Sequence, residues 1–180
     1  ESKAAGHEGE TPIASWAEKR AWVDYAFRQF EAHGYAVSSA YTMVKKATHA
    51  GFVYRDSLWR GADLVGTGIA SFGHFQGVHY QNVDKWEDYI AHLDAGELPI
   101  HRALPVTPHQ KLIREMILLL KTGHLDAGYF RTKFSVEILR EVNQAYTSLI
   151  ADGVAQGAGD DIRLTRDGMP SMHGFQPALA

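Results

Sequence analysis

Residues 54–82 read Y-R-D-S-L-W-R-G-A-D-L-V-G-T-G-I-A-S-F-G-H-F-Q-G-V-H-Y-Q-N, the most unusual stretch of the chain. It combines five glycines with several aromatic residues, two arginines and two histidines. Glycine lets a backbone approach a ligand closely, aromatic rings supply flat apolar surface, and arginine offers a forked set of donors for carboxylates. The pattern suits a flat, carboxylate-bearing aromatic ligand or a nucleoside. It equally suits a glycine-rich bulged hairpin packed by aromatic side chains.

A phosphate-binding loop is one alternative for this stretch, because Gly66, Thr67 and Gly68 form a G-x-G unit. A dinucleotide-binding fingerprint requires a strand before the glycines and a helix directly after them. Residues 72–80 instead alternate aromatic and small residues around glycine, which is typical of a hairpin or a bulged strand. The sequence therefore argues against a dinucleotide site.

The segments around this stretch mix helical and extended patterns. The predicted elements are a helix over 14–33, a strand over 35–44, a short strand over 52–54, a turn over 55–62, a hairpin over 72–80, a helix over 84–95, an extended linker over 97–106, helices over 110–122, 126–132 and 136–151, and a hairpin over 154–165. This order predicts an α+β fold.

The proline-containing linker is the best candidate for a boundary between two parts of the chain. We expect a first part over residues 1–98, which carries the glycine-rich stretch, and a second part over 99–168. The three helices and closing hairpin of the second part are typical of a winged-helix-like module. Residues 169–180 are expected to form a loose tail.

The whole composition limits the chemistry of the chain. Its 180 residues contain no cysteine, which excludes disulfides, thiolate nucleophiles and a cysteine-ligated iron–sulfur cluster held by this chain alone. The net charge of -3 gives no field that would attract nucleic acid. No apolar run is long enough to span a membrane and no signal peptide is evident, so a cytoplasmic protein is expected. The chain opens on Glu1 rather than Met, which suggests a fragment, a processed chain or a trimmed one.

Candidate catalytic and metal-binding residues are sparse. His74 and His79 are five residues apart, which on a single strand places them on opposite faces, and no H-x-x-x-H pair occurs. No metal site is therefore predicted, although either histidine could serve as an axial haem ligand. Asp56 and Asp63 are expected to be turn and cap residues, and no residue is predicted to be catalytic. The helix over 136–151 carries few cations, so nucleic acid is not an expected partner.

Several short motifs follow one another in a fixed order. They are L-W-R-G-A-D at 58–63, L-V-G-T-G-I-A-S at 64–71, Y-Q-N at 80–82, Y-I-A-H-L-D-A-G-E-L-P at 89–99 and L-T-R-D-G at 164–168. Together they resemble the C-terminal half of the oxygen-independent coproporphyrinogen III oxidase (HemN-like) family of radical S-adenosylmethionine (SAM) enzymes. The resemblance covers nearly the whole chain, from about Thr11 to Gly168.

The resemblance implies a fold and a division of labour. The first helix and strand would be the last ones of a partial barrel, and the glycine-rich stretch would pack over the open side of that barrel. In the family a CxxxCxxC motif upstream of this region binds the [4Fe–4S] cluster that cleaves SAM. Without cysteine this chain cannot bind that cluster. SAM and the cluster are thus implied cofactors of the family, and haem is a further candidate ligand.

The same resemblance implies site residues by position. Those implied for cofactor binding are Trp59, Arg60, Gly66, Gly68, Ile69, Ala70, Ser71 and Phe72. Those implied for substrate binding are Tyr54, Arg55, His74 and His79. The family's haem chaperones carry H-N-x-x-Y-W, of which only the tryptophan, Trp59, survives here.

Three hypotheses for function follow. The chain is the substrate-covering portion of a HemN-like radical SAM enzyme acting on a tetrapyrrole, a stand-alone haem- or tetrapyrrole-binding accessory protein, or a structural subunit of a larger complex without catalysis of its own. In each case a partner, the missing barrel portion or another protein, is expected to cover the first helix. Trp16, Trp22 and Phe30 would otherwise be exposed on it.

Overall fold

The computed structural model describes residues 13–46, 52–141, 147–148, 150–165 and 168. Within them the elements run α1 (Trp16–Ala32), β1 (Tyr35–Ser39), β2 (Thr42–Lys45), α2 (Val53–Trp59), β3 (Phe72–Phe75), β4 (Val78–Asn82), α3 (Trp86–Asp94), β5 (Ile100–Pro105), α4 (Pro108–Leu120), β6 (His124–Asp126), α5 (Ala127–Phe134), α6 (Ile138–Glu141), β7 (Ala155–Ala158) and β8 (Asp161–Leu164). The strands form small antiparallel sheets, which confirms the predicted α+β class.

Helix α1 begins with a capping box. The Ser15 hydroxyl accepts a hydrogen bond from the backbone N–H of Glu18, and the Glu18 carboxylate accepts one from the backbone N–H of Ser15. None of the residues of α1 is buried, and most of its large side chains are exposed. The most exposed are Trp16, Trp22 and Tyr25, each more than 60% exposed, followed by Phe30 at 46%. No helix among the described residues is long and apolar enough to cross a membrane.

The prediction of one strand over 35–44 was wrong, because the chain turns back on itself after Ser39. Strands β1 and β2 pair as an antiparallel hairpin. Ser39 is fully buried, and its hydroxyl accepts from the N–H of Tyr41 and donates to the Thr42 hydroxyl over 3.0 Å. Such local side-chain bonds favour a turn over a continuing strand.

The predictions of a short strand over 52–54 and a turn over 55–62 were also wrong, because most of this segment is helix α2. The helix ends at glycine: the N–H of Gly61 donates to the carbonyl of Leu58, and the N–H of Ala62 donates to the carbonyl of Ser57. This is the hydrogen-bond pattern of a Schellman cap, and it needs the positive φ of +83° found at Gly61. The W-R-G motif is therefore a helix stop.

The glycine-rich region forms the predicted hairpin. Strands β3 and β4 pair around a turn at Gln76 and Gly77, both with positive φ. Strand β5 adds to β4 and completes a three-stranded sheet of order β3-β4-β5. The predicted linker over 97–106 is thus largely strand β5. The predicted division of the chain between residues 98 and 99 would separate β5 from β4, the strand with which it pairs.

The C-terminal part contains the main core. Helix α4 begins with a second capping box, formed by Thr107 and Gln110, with Pro108 in the first turn. Strand β6, which was not predicted, pairs with the predicted hairpin in a sheet of order β6-β8-β7. The buried apolar cluster consists of Leu112, Met116, Leu120, Leu125, Ala127, Phe130, Ile138, Ala155 and Ile162. Part of the predicted helix over 136–151, and the predicted tail over 169–180, lie outside the described residues.

Candidate functional site

One face of the β3-β4-β5 sheet carries a shallow groove of about 320 Å³, here called the sheet groove. Its lining residues are Phe72, His79, Tyr80, Gln81, Arg102, Ala103 and Leu104. The register puts five of these side chains on one face, because Phe72 pairs with Gln81, Gln81 with Arg102, and His79 with Leu104. Tyr80 and Ala103 pair with each other and face the opposite side by the same register. Three strands thus bring an aromatic ring, an imidazole, an amide and a guanidinium to one surface.

The floor of the sheet groove is a stacked aromatic pair. The rings of Phe72 and His79 lie 5.8 Å apart between centroids and are inclined by only 12°. Phe72 is 52% exposed and His79 is also exposed, so both rings are open to a ligand. A flat apolar surface of this kind suits another flat ring.

The prediction that His74 and His79 lie on opposite faces of a strand was wrong. They pair directly across the hairpin, on one face, with ring centroids 6.1 Å apart. His74 is only 2% exposed, however. Burial and the nearby positive charge of Arg114 lower the pKa of His74, so its ring is neutral at pH 7. His79 is therefore the imidazole available at the surface.

The loop over residues 66–71, here called the glycine loop, borders the sheet and is held by three side chains. The N–H of Gly66 donates to the hydroxyl of Tyr80 over 3.0 Å, and that of Gly68 donates to the hydroxyl of Tyr89 over 2.9 Å. The buried amide of Asn82 donates to the carbonyls of both glycines. These amide N–H groups are committed inside the chain, so they are not arranged to cradle a phosphate.

Close packing explains two glycines of the region. A Cβ at Gly66 would lie 2.2 Å from the carbonyl oxygen of Phe72, and one at Gly73 would lie 2.2 Å from the ring of Tyr80. These positions require glycine whatever the ligand. Within the loop, Ile69 is exposed and Ala70 adopts a left-handed conformation with φ of 54°. The exposed side chains of Ile69 in the loop and of Phe72 directly after it are therefore what this segment offers to a ligand.

Arg55, a predicted substrate residue on α2, is occupied by contacts within the chain. Its guanidinium lies 4.9 Å from the ring centroid of Phe52 and 5.1 Å from that of Trp59. It pairs with Asp56 at 2.7 Å and donates to the hydroxyl of Ser38 at 3.0 Å. Its side chain is only 15% exposed. The geometry thus favours a role for Arg55 in packing α2 against the first hairpin.

A buried carboxylate holds the W-R-G motif in place. Glu115 of α4 is fully buried and accepts hydrogen bonds from the ammonium of Lys133 and from the hydroxyl of Tyr129. Lys133 also donates to the carbonyl oxygen of Arg60, and the hydroxyl oxygen of Tyr129 lies 3.2 Å from that carbonyl oxygen. Burial, together with the hydrogen bond to Glu115, raises the pKa of Tyr129. A Cβ at Gly61 would lie 2.0 Å from Oε1 of Glu115, so only glycine fits above this carboxylate.

The predicted site residues thus fall into two groups. Trp59 and Arg60 line a separate depression of about 150 Å³ beside Tyr129, and Tyr54 is exposed on the same helix. The glycine loop, Phe72, His74 and His79 belong to the β3-β4-β5 region. Among the described residues, no group of three or more histidine, aspartate or glutamate side chains could hold a metal ion.

Sequence reasoning missed Arg102, Gln81 and Leu104 as residues of the sheet groove. Arg102 and Leu104 were assigned to a linker. Two features of the sequence indicated a strand here. Ala103 separates Arg102 from Leu104, as in an alternating pattern, and the segment follows Gly96, which ends a helix.

No protein-family model matches the sequence, and no curated protein matches it. By structure, the chain is similar to coproporphyrinogen III oxidase (HemN) from Escherichia coli, a radical SAM enzyme, with a TM-score of 0.71 at 14% sequence identity. The match covers 92% of this chain and 42% of that chain. The chain therefore has the fold of the corresponding part of HemN and spans less than half of its length.

The contact between Gly61 and Glu115 gives a stability test. Changing Gly61→Ala should lower the free energy of unfolding by about 3 kcal/mol or more, because the new methyl group meets a fully buried carboxylate in addition to the strain of a positive φ. Gly34 has the same φ of +83° with nothing within 4 Å, so Gly34→Ala should cost only about 1–2 kcal/mol. Urea unfolding of both variants measures the difference. Equal losses would contradict the steric role of Glu115.

Proposed function

We propose that this chain is the substrate-covering portion of a HemN-like radical SAM enzyme that acts on a tetrapyrrole. The observation that carries the proposal is the match to HemN over 92% of the chain. In this proposal the sheet groove and the glycine loop face the ligand. The chain binds and shields the substrate, while another polypeptide segment supplies the chemistry.

The sheet groove supports this division of roles. Its stacked pair, Phe72 and His79, offers a flat apolar face, which is the shape that a tetrapyrrole ring requires of its site. Its volume of about 320 Å³ lies at the low end of the range for ligand pockets, so it would cover one side of a large ring. A second surface, from a partner, would have to cover the other side.

The radical chemistry lies outside this chain. Cleavage of SAM in the family uses a cysteine-ligated iron–sulfur cluster, and the chain contains no cysteine. The residues present therefore do not fit the cluster. For SAM itself, the exposed side chains of Ile69 and Phe72 are the proposed contacts, because the amide groups of Gly66 and Gly68 are already bonded.

We further propose that the chain divides into the β3-β4-β5 region and a winged-helix-like module, with the boundary after Pro105 so that the sheet stays whole. The module contributes the buried core and the Glu115 contact that fixes the W-R-G motif. Its role in this proposal is to position the end of α2 beside the ligand-facing part.

A partner is proposed to cover α1. Trp16, Trp22 and Tyr25 are exposed on a helix that buries none of its own residues. Exposed aromatic side chains concentrated on one element mark interaction surfaces. The partner proposed here is the radical SAM barrel portion. This chain matches only 42% of HemN, and the rest of HemN has no counterpart in it.

Binding of a metal-free porphyrin tests the ligand-facing role. Mesoporphyrin IX should quench the intrinsic fluorescence of the chain, and Phe72→Ala should weaken its binding about fivefold or more, because the variant loses an exposed stacking ring. Phe75 is a matched control on the same strand, since it is 45% exposed but faces the other side of the sheet. Equal effects of Phe72→Ala and Phe75→Ala, or no binding at all, would argue against the sheet groove as the ligand face.

A stand-alone haem-binding protein is the second candidate, and the exposed imidazole of His79 favours it. In this hypothesis the imidazole of His79 turns out of its stacked position, in which it is inclined by only 12° to Phe72, so that a ring nitrogen points at the haem iron. One axial donor is enough for ligation.

The two histidines separate the haem hypothesis from simple stacking. If haem is ligated here, His79→Ala should abolish the shift of the Soret band, whereas His74→Ala should leave it, because His74 is only 2% exposed. An absorption titration of the two variants with haem makes the comparison. A Soret shift that survives in His79→Ala would rule out ligation by this residue.

The proposed partner surface on α1 is testable without knowing the partner. The chain alone should bind an apolar fluorescent dye. The double variant Trp16→Ser with Trp22→Ser should reduce the dye signal by about half or more. Its melting temperature should change little, because neither ring is buried. Trp86→Ser is the control, because Trp86 is 60% exposed on α3. A larger reduction from Trp86→Ser would place the apolar surface elsewhere.

A further inference from the structure

A chain of hydrogen bonds connects the glycine loop to an arginine in the sheet groove. The side-chain amide of Gln81 donates from Nε2 to the carbonyl oxygen of Ala70 over 3.3 Å. Its oxygen, Oε1, accepts from Nε of Arg102 over 2.9 Å. The left-handed conformation of Ala70, with φ of 54°, belongs to the loop that this contact holds. Gln81 therefore orients Arg102 from a fixed point in the backbone.

This arrangement determines which face of the guanidinium is available. Nε of Arg102 is occupied by Gln81, and no described protein acceptor is bonded to its two terminal nitrogens. An arginine held at Nε presents the terminal pair as an end-on fork, and two parallel N–H groups match the two oxygens of a carboxylate. Arg102 is exposed on β5, so this fork opens to the outside.

The surroundings favour an anion attached to a flat ring. Among the described residues that line the sheet groove, Arg102 alone carries a permanent charge, and no carboxylate lines the groove to neutralise it. The exposed ring of Phe72 lies on β3, across β4 from Arg102, and the apolar side chain of Leu104 lies two residues from Arg102 along β5. The groove thus has a flat apolar surface with one positive end.

We propose that Arg102 is the specificity-determining residue of the sheet groove and that it binds a peripheral carboxylate of the flat ligand through its terminal nitrogens, oriented by Gln81. This role rests on the proposed function and adds the chemical group that the site distinguishes. It also replaces Arg55, whose donors are used within the chain, as the carboxylate-binding arginine.

The test compares mesoporphyrin IX, which has two free carboxylates, with its dimethyl ester, which has the same ring and no carboxylate. The unmodified chain should bind the free acid roughly three- to tenfold more tightly than the ester, the range expected of a charge-assisted pair on a partly exposed arginine. Arg102→Gln should remove this preference by weakening binding of the acid while leaving binding of the ester unchanged. Fluorescence quenching measures both affinities in one buffer.

Three further variants separate orientation from charge. Arg102→Lys keeps the charge but loses the fork, so it should keep only part of the preference. Gln81→Leu keeps the guanidinium but releases it from Ala70, and it should also reduce the preference in part. Arg163→Gln is the control, because Arg163 is an exposed strand arginine whose Nε is likewise held by a neighbour, Asp161, on a different sheet. It should change neither affinity.

The outcomes distinguish this inference from the function on which it rests. If the chain binds acid and ester equally, and Phe72→Ala weakens both, the ring-binding role stands and the role of Arg102 is wrong. An acid preference that survives in Arg102→Gln also overturns it. If neither porphyrin binds, the proposed function fails and this inference fails with it.

Discussion

The buried carboxylate of Glu115 is the constraint on which the arrangement of this chain depends. A fully buried charge is costly unless it is paired and hydrogen-bonded, and here Lys133 and Tyr129 supply the partners. Lys133 also donates to the carbonyl oxygen of Arg60, so the end of α2 completes the network. This network thereby joins the helical C-terminal part to the segment that leads into the glycine-rich region.

A second network, made of neutral groups, holds the glycine loop against the β3-β4-β5 sheet. Tyr80, Asn82 and Tyr89 bond the backbone of the glycine loop, and Gln81 extends from this loop to Arg102. The glycine loop forms no regular strand, and side-chain hydroxyl and amide groups supply hydrogen-bond partners for its backbone N–H and C=O groups. Because the N–H groups of Gly66 and Gly68 are bonded within the chain, the proposed recognition of a charged ligand is assigned to a side chain, that of Arg102.

Much of the fold could be predicted from local chemistry. The helix starts at Ser15 and Thr107 form capping boxes, and the hairpin over 72–80 has the alternation and glycines that a tight turn requires. The order of short motifs was enough to indicate the HemN-like fold, although overall identity to HemN is only 14%. Helix α2 was missed because its sequence has β-branched and aromatic residues at the start. The contact of Gly61 with Glu115 could not be predicted, because the two residues are far apart in the sequence. Strand β5 was missed because all six of its residues are exposed, so no alternation of buried and exposed positions marks it. His74 and His79 share a face because they lie on two paired strands, and the sequence analysis had placed them on one strand.

The close contacts at Gly61, Gly66 and Gly73 bear on how this sequence can diverge. At each position a methyl group would overlap an atom that cannot easily move: a buried carboxylate, a backbone carbonyl or a packed tyrosine ring. Relatives of this chain are therefore better sought by the spacing of these three glycines, five and seven residues apart, than by overall similarity.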